Sequence, residues 1–149
     1  MSSVDAGAGM GDPYGTVGFA LKQAQHALRT CLDGELRGIG LTMPQYAVLA
    51  CLQAKAGASN ATLARSAFVT PQTMQAILVA LERAGFVERS AHPDHGRVLR
   101  TELTVSGRAI LERASGIVAD AEERVRAATA PLDPRVITAT LLRIAEAFR

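Results

Sequence analysis

Three histidines and two cysteines are the residues of this 149-residue chain best suited to metal or nucleophilic chemistry, and their spacing argues against both. His92 and His95 flank Pro93-Asp94, so a metal there would draw its ligands, Asp94 included, from one short turn. Ligating imidazoles need further partners to orient them, and a single turn supplies none, so a solvated turn is the simpler reading. Cys31 and Cys51 have no CxxC partner and no histidine at ligand spacing, which speaks against structural zinc and a disulfide framework. A thiol oxidation switch is the cysteine chemistry left open, although Cys31 falls on an apolar stripe where a cysteine is usually an inert small hydrophobe. Phosphate-loop, HExxH and GxSxG patterns are absent, so the chain is not read as an enzyme and no cofactor or metal is expected.

A second group of residues suits a polyanion. Between Asn60 and Arg108 six arginines stand against four acids, whereas the rest of the chain balances ten basic residues with ten acidic ones. Only Lys22 and Lys55 are lysines, and the forked guanidinium of the other fourteen suits phosphate. The same stretch carries Thr70, Gln72, Thr73 and Gln75. The net charge of +2 is by itself too small to be a nucleic-acid footprint.

These residues need elements to position them. Val17, Leu21, Ala24, Leu28 and Cys31 fall four and three apart, the stripe of a helix from Thr16 to Leu32 that the Gly34, Gly38 and Gly40 cluster ends. Thr42-Met-Pro-Gln45 is a capping box that opens a second helix running to about Lys55. Ala61–Phe68 has room for two helical turns, and Thr70-Pro71 restarts a helix with a cap and an N1 proline. That helix gathers Met74, Ile77, Leu78 and Leu81 on one face and stops at Gly85. Projection at 100° per residue turns Gln72, Gln75, Ala76 and Val79 the other way. Strand-like runs at 86–90 and 98–103 enclose the turn-rich segment 92–96, a hairpin with an exposed tip. Thr104 caps a long helix carrying Ile110, Leu111, Ala114, Ile117, Val118, Ala121 and Val125, which Pro131 closes. Asp133-Pro134 starts a last helix striped by Ile137, Leu141, Ile144 and Phe148.

Length and composition, 48% hydrophobic and 20% charged, fit one globular domain. No apolar run reaches the roughly 18 residues of a membrane span, so no membrane partner is expected. Residues 1–13 lack a basic start and an apolar block, so they read as a flexible leader and not a signal peptide, with a cytoplasmic location by default. The fold expected is mainly α, a winged helix-turn-helix with a two-stranded β wing at about 42–104. Within a single domain of 14–149, helices at about 14–38 and 105–149 form a dimerisation region, since their apolar stripes exceed what one short domain can cover.

From Leu41 to Leu111 the sequence resembles the MarR family. The resemblance is carried by Leu41-Thr-Met-Pro-Gln-Tyr46, Leu63-Ala64, Thr70-Pro-Gln-Thr73, Leu81-Glu-Arg-Ala-Gly85, Arg97 and the Leu103-Thr104 before Gly107. One departure is that the family's wing Asp-x-Arg has His95 at the Asp position, with Asp94 one residue earlier. The resemblance implies a homodimeric regulator, a repressor of the ligand-responsive kind, that binds double-stranded DNA at a pseudo-palindromic operator. The helix from Thr70 would enter the major groove, with Gln72 and Gln75 reading bases. Thr70 and Thr73 would position on phosphate, and Ala76 and Val79 would meet thymine methyls. Arg97 would reach the minor groove, with Arg65, Arg89 and Arg100 as further phosphate contacts. His26 and Tyr46 would border a cleft for a small effector such as an aromatic acid. Two alternatives stay open from the residues alone, a winged-helix protein-interaction module without DNA binding and a cysteine-based redox sensor.

Overall fold

The computed structural model describes residues 12–92 and 94–149; the side chains of His92 and of residues 95–99 fall outside that description. Six helices and a hairpin follow in the order α1 (Val17–Arg37), α2 (Met43–Ala54), α3 (Asn60–Ala67), α4 (Pro71–Arg83), β1 (Val87–His92), β2 (His95–Leu103), α5 (Val105–Thr129) and α6 (Pro134–Glu146). A single 3-10 turn, Pro13–Gly15, precedes α1, and Asp12 caps it through a bond from the Tyr14 N–H. Of the leader expected at 1–13, Asp12 and Pro13 belong to this turn, and residues 1–11 lie outside the described residues.

Each helix start is written in the side chains. Thr16, Thr42, Ser59, Thr70, Thr104 and Asp133 are the N-caps, each accepting a backbone N–H of the first turn. At Thr42 the capping box is complete, with Gln45 Oε1 accepting the Thr42 N–H at 3.0 Å. Gly85 leaves α4 at φ +78°, a left-handed conformation that a side chain would strain. The helix α1 runs one turn beyond the apolar stripe's last residues, past Gly34 to Arg37, and ends within the expected glycine cluster with Gly38 as its C-cap. That turn brings Leu36, with no exposed surface, into the core, and its burial outweighs the cost of a mid-helix glycine, about 1 kcal/mol.

The core is one cluster that all the central elements share. Leu36 and Leu41 meet Val48, Leu49 and Leu52 of α2, Leu63 of α3, and Met74, Leu78 and Leu81 of α4. Val87 of β1 and Ile110, Leu111 and Ala114 of α5 complete it. The strands pair antiparallel from Val87 opposite Leu103 to Ala91 opposite Leu99, and the register then jumps to His92 opposite His95. Pairing thus runs further toward the tip than the expected strand limits of 90 and 98.

Close backbone contacts fix the wing to its neighbours. A methyl group at Gly107 would lie 2.0 Å from the Phe86 carbonyl oxygen, so only glycine lets α5 start against the β1 entrance. Thr104 adds to this joint, donating its N–H to Phe86 O and its hydroxyl to Gly85 O. The Gly57 N–H donates to Thr101 O at 3.3 Å, which ties the α2–α3 loop to β2.

Candidate nucleic-acid interface

The helices α3 and α4 are joined by Phe68-Val69-Thr70. Phe68 turns the chain in a left-handed conformation at φ 55°, its N–H donating to Arg65 O, while the Val69 N–H donates to Ala64 O. Met74, Leu78 and Leu81 are buried to 1% exposure or less, which presses one face of α4 into the core and fixes what the other face presents. That outer face holds Gln72, Thr73, Gln75 and Ala76, all exposed, with Val79 half-buried beside them. The 100° projection and the structure agree on this face.

Hydrogen bonding differentiates these residues. The Thr70 hydroxyl accepts the Thr73 N–H at 3.1 Å and lies 3.1 Å from the Thr73 hydroxyl, so the cap consumes the N–H of that residue. Pro71 has no N–H and the Met74 N–H donates to Thr70 O, so the first turn leaves the Gln72 N–H at a positive helix end, a setting that favours an anion. Gln72 makes no side-chain hydrogen bond with the described residues. Gln75 is engaged: its Oε1 accepts from Asn60 Nδ2 of α3 and from Arg89 Nη1 of β1, both at 3.3 Å.

The arginines divide in the same way. Arg89 has only 11% of its side chain exposed and donates Nε to Glu82 Oε2 at 3.0 Å, which makes it a brace between wing and α4. Arg100 Nε lies 2.9 Å from Glu102 Oε1, in an ion pair without hydrogen-bond alignment, and its stem covers Gly57. Arg65 is exposed on α3 and bonds Thr62 Oγ1 weakly at 3.4 Å. Arg97 belongs to β2 near the register jump, and its side chain lies outside the described residues, as do those of His92 and His95. Among the described residues no group of histidine, cysteine and carboxylate side chains is arranged to hold a metal.

A cleft of about 460 Å³ opens between α1, α2 and the α3–α4 turn. Tyr46 lines it, together with Met43, Leu28 and Leu32, and Ala67, Phe68 and Val69 close the side nearest α4. Gln25, Ser66 and Arg29 supply polar atoms, Arg29 being the one charged residue of the lining. It sits 3.7 Å from Asp33 with 63% of its side chain exposed. His26 is exposed on α1 and does not line the cleft. Sequence reasoning missed Arg29 and Gln25, although their spacing with Leu28 and Leu32 marks one helix face. It missed Phe68 because a phenylalanine gives no signal for a left-handed turn.

Cys31, half-buried on α1, is bonded to both sides: Arg124 Nη1 of α5 donates to its sulfur at 3.1 Å, and the sulfur lies 3.5 Å from Glu35 Oε1. The thiol thus links the two helices. Away from the core, apolar side chains of the terminal helices stand in the open. They include Val17 at 74% exposure on α1 and Val136, Leu142 and Phe148 at 61%, 62% and 88% in and beyond α6, which buries no residue. No helix among the described residues is long and apolar enough to cross a membrane.

Comparison with known proteins places this geometry. The model of the MarR family matches residues 41–99. The HTH-type transcriptional repressor Rv2887 of Mycobacterium tuberculosis is 42% identical over 116 residues, which are 77% of this chain and 84% of the relative. A crystal structure of Rv2887 in complex with salicylic acid superposes with a TM-score of 0.70 at 37% identity, covering 87% of this chain and 96% of the other. The transcriptional repressor CouR bound to a 23-mer DNA duplex gives a TM-score of 0.78 at 31% identity, covering 95% and 98%.

Proposed function

The chain belongs to the MarR family, and on that premise we propose that it is a ligand-responsive transcriptional repressor that binds a pseudo-palindromic operator as a homodimer. The observation that carries this reading is the outer face of α4. A helix held by three buried side chains offers Gln72, Thr73, Gln75, Ala76 and Val79 to a groove, beside a capped, positive N-terminus suited to phosphate. CouR, whose fold this chain shares over nearly its full length, is found bound to a DNA duplex, which supports DNA as the partner. Apolar side chains of α1 and α6 left open in one chain support a second copy as the partner, and a dimer sets two α4 helices about one turn of DNA apart, roughly 10 bp.

The cleft is the proposed effector site. Its volume suits a small molecule, its walls are apolar and aromatic, and Arg29 can pair with a carboxylate. The salicylic acid complex of Rv2887 supports an aromatic acid as the ligand class. Phe68 and Val69 belong at once to this cleft and to the turn that leads into α4. A ligand seated there weakens DNA binding to the extent that it prefers the arrangement of lobes that does not fit the operator.

The test is a salt series of binding to the intergenic DNA upstream of the chain's own gene. The expected affinity falls steeply with salt; Arg97→Ala weakens binding, and Arg65→Ala flattens the log–log slope by about 0.9 for a lost phosphate contact. Absence of binding at low salt would leave the winged-helix interaction module as the better account.

A further inference from the structure

The Gln75 amide is held by its neighbours in an orientation that selects the base it can read. Its Oε1 accepts from both Asn60 Nδ2 and Arg89 Nη1 at 3.3 Å, which occupies the two lone pairs of a carbonyl oxygen. The orientation follows from chemistry as well as from distance, because a guanidinium has donors only and the amide atom facing it must be the oxygen. Arg89 is in turn held by Glu82, with 11% of its side chain exposed, so the atom that fixes the amide is itself fixed. What Gln75 has left for a ligand is its Nε2 with two hydrogens.

We infer that Gln75 is a donor-only reader that specifies guanine, with Asn60 and Arg89 as the positioning residues that set this preference. A free glutamine matches adenine, giving one bond from its NH2 to N7 and taking one from N6 into its oxygen. With the oxygen occupied, the second bond is lost and the adenine N6 amino group faces a donor. Guanine offers N7 and O6, both acceptors, to the same two hydrogens. The inference rests on the reading that α4 enters the major groove, and it assigns Arg89 to the protein's own bracing instead of to phosphate.

Selection of duplexes from a random pool by the full-length chain, repeated with Gln75→Ala, locates the contact as the position whose base preference flattens. The expected wild-type choice there is a G·C pair, with A·T weakening binding roughly tenfold or more and 7-deazaguanine also lowering affinity. Gln75→Glu keeps an acceptor for Asn60 and Arg89 but removes the donor, and loses the G·C preference. Asn60→Ala combined with Arg89→Met releases the oxygen and moves the preference toward A·T; its helical circular dichroism confirms the fold. An A·T pair in the wild type, a G·C preference surviving in Gln75→Glu, or no flattening with Gln75→Ala overturns the inference while leaving DNA binding in place. Failure of every version to enrich any duplex sinks the DNA-binding reading and this inference together.

Discussion

The winged lobe and the last helix are built from equally apolar stripes and end in opposite states. From Leu36 to Ala114 the stripes of five helices and one strand close on each other, and Leu36, Val48, Leu49, Leu63, Met74 and Leu78 have no exposed surface. In α6 the spacing of Ile137, Leu141 and Ile144 is as regular, yet no residue is buried. Amphipathic periodicity therefore establishes that a face will be covered, and only the tertiary arrangement decides whether the same chain covers it. The lobe folds around its own core; α6 keeps its stripe open, as the proposed dimer requires.

That contrast can be broken from the lobe side with the largest effects. Leu78→Ala removes a fully buried side chain from the recognition helix and is expected to destabilise by about 3 kcal/mol, measured by chemical denaturation. Gly107→Ala forces a methyl group against the Phe86 carbonyl and should cost about 3 kcal/mol, visible as a lowered melting temperature. An unchanged melting temperature for Gly107→Ala would show that the α5–wing joint is not as tight as the structure has it. From the α6 side, Leu142→Glu should leave lobe stability nearly untouched and shift the sedimenting species from dimer to monomer. Destabilisation of the isolated protomer by Leu142→Glu would instead mean that α6 packs on its own chain.

Smaller effects sharpen the same division. Phe68→Gly relieves a left-handed side chain that is 94% exposed, and about 1 kcal/mol of stabilisation is expected together with a wider cleft. The smallest effect concerns the α6 cap. The Asp133 carboxyl is held below the usual carboxylate range, first by the Arg135 side chain and then by the Arg135 N–H. A lowered folded-state value means that the cap's contribution is present above the ordinary aspartate range and is lost as pH falls through the lowered value. Acidification below pH about 4 is therefore expected to fray the start of α6 before the lobe, and Asp133→Asn should remove that pH dependence. Hydrogen exchange along α6 reads both.

Much of this was legible in the residues because caps and spacing act locally. Thr42, Thr70, Thr104 and Asp133 each start the helix that their sequence position announces, and Gly85 takes the left-handed conformation expected at the end of α4. The outer face of α4 was equally readable, since burial of Met74, Leu78 and Leu81 fixes it by rotation alone. What stayed hidden depends on packing between distant segments. Leu36 draws α1 past Gly34 only because a core awaits it, and Arg89 is a brace only because folding brings Glu82 and Gln75 to it, seven and fourteen residues away. The cleft likewise joins residues 25–32 of α1 to the turn at 66–69, and it takes in Tyr46 while leaving His26 outside.

The most direct test of the central claim, that two copies of α4 grip one duplex, is a hydroxyl-radical footprint on the upstream intergenic DNA. Two protected patches centred roughly 10 bp apart on the same side of the helix, both lost with Leu142→Glu at concentrations where that variant is monomeric, are the predicted result. A single patch that persists in the monomeric variant, or no protection at all, would contradict it.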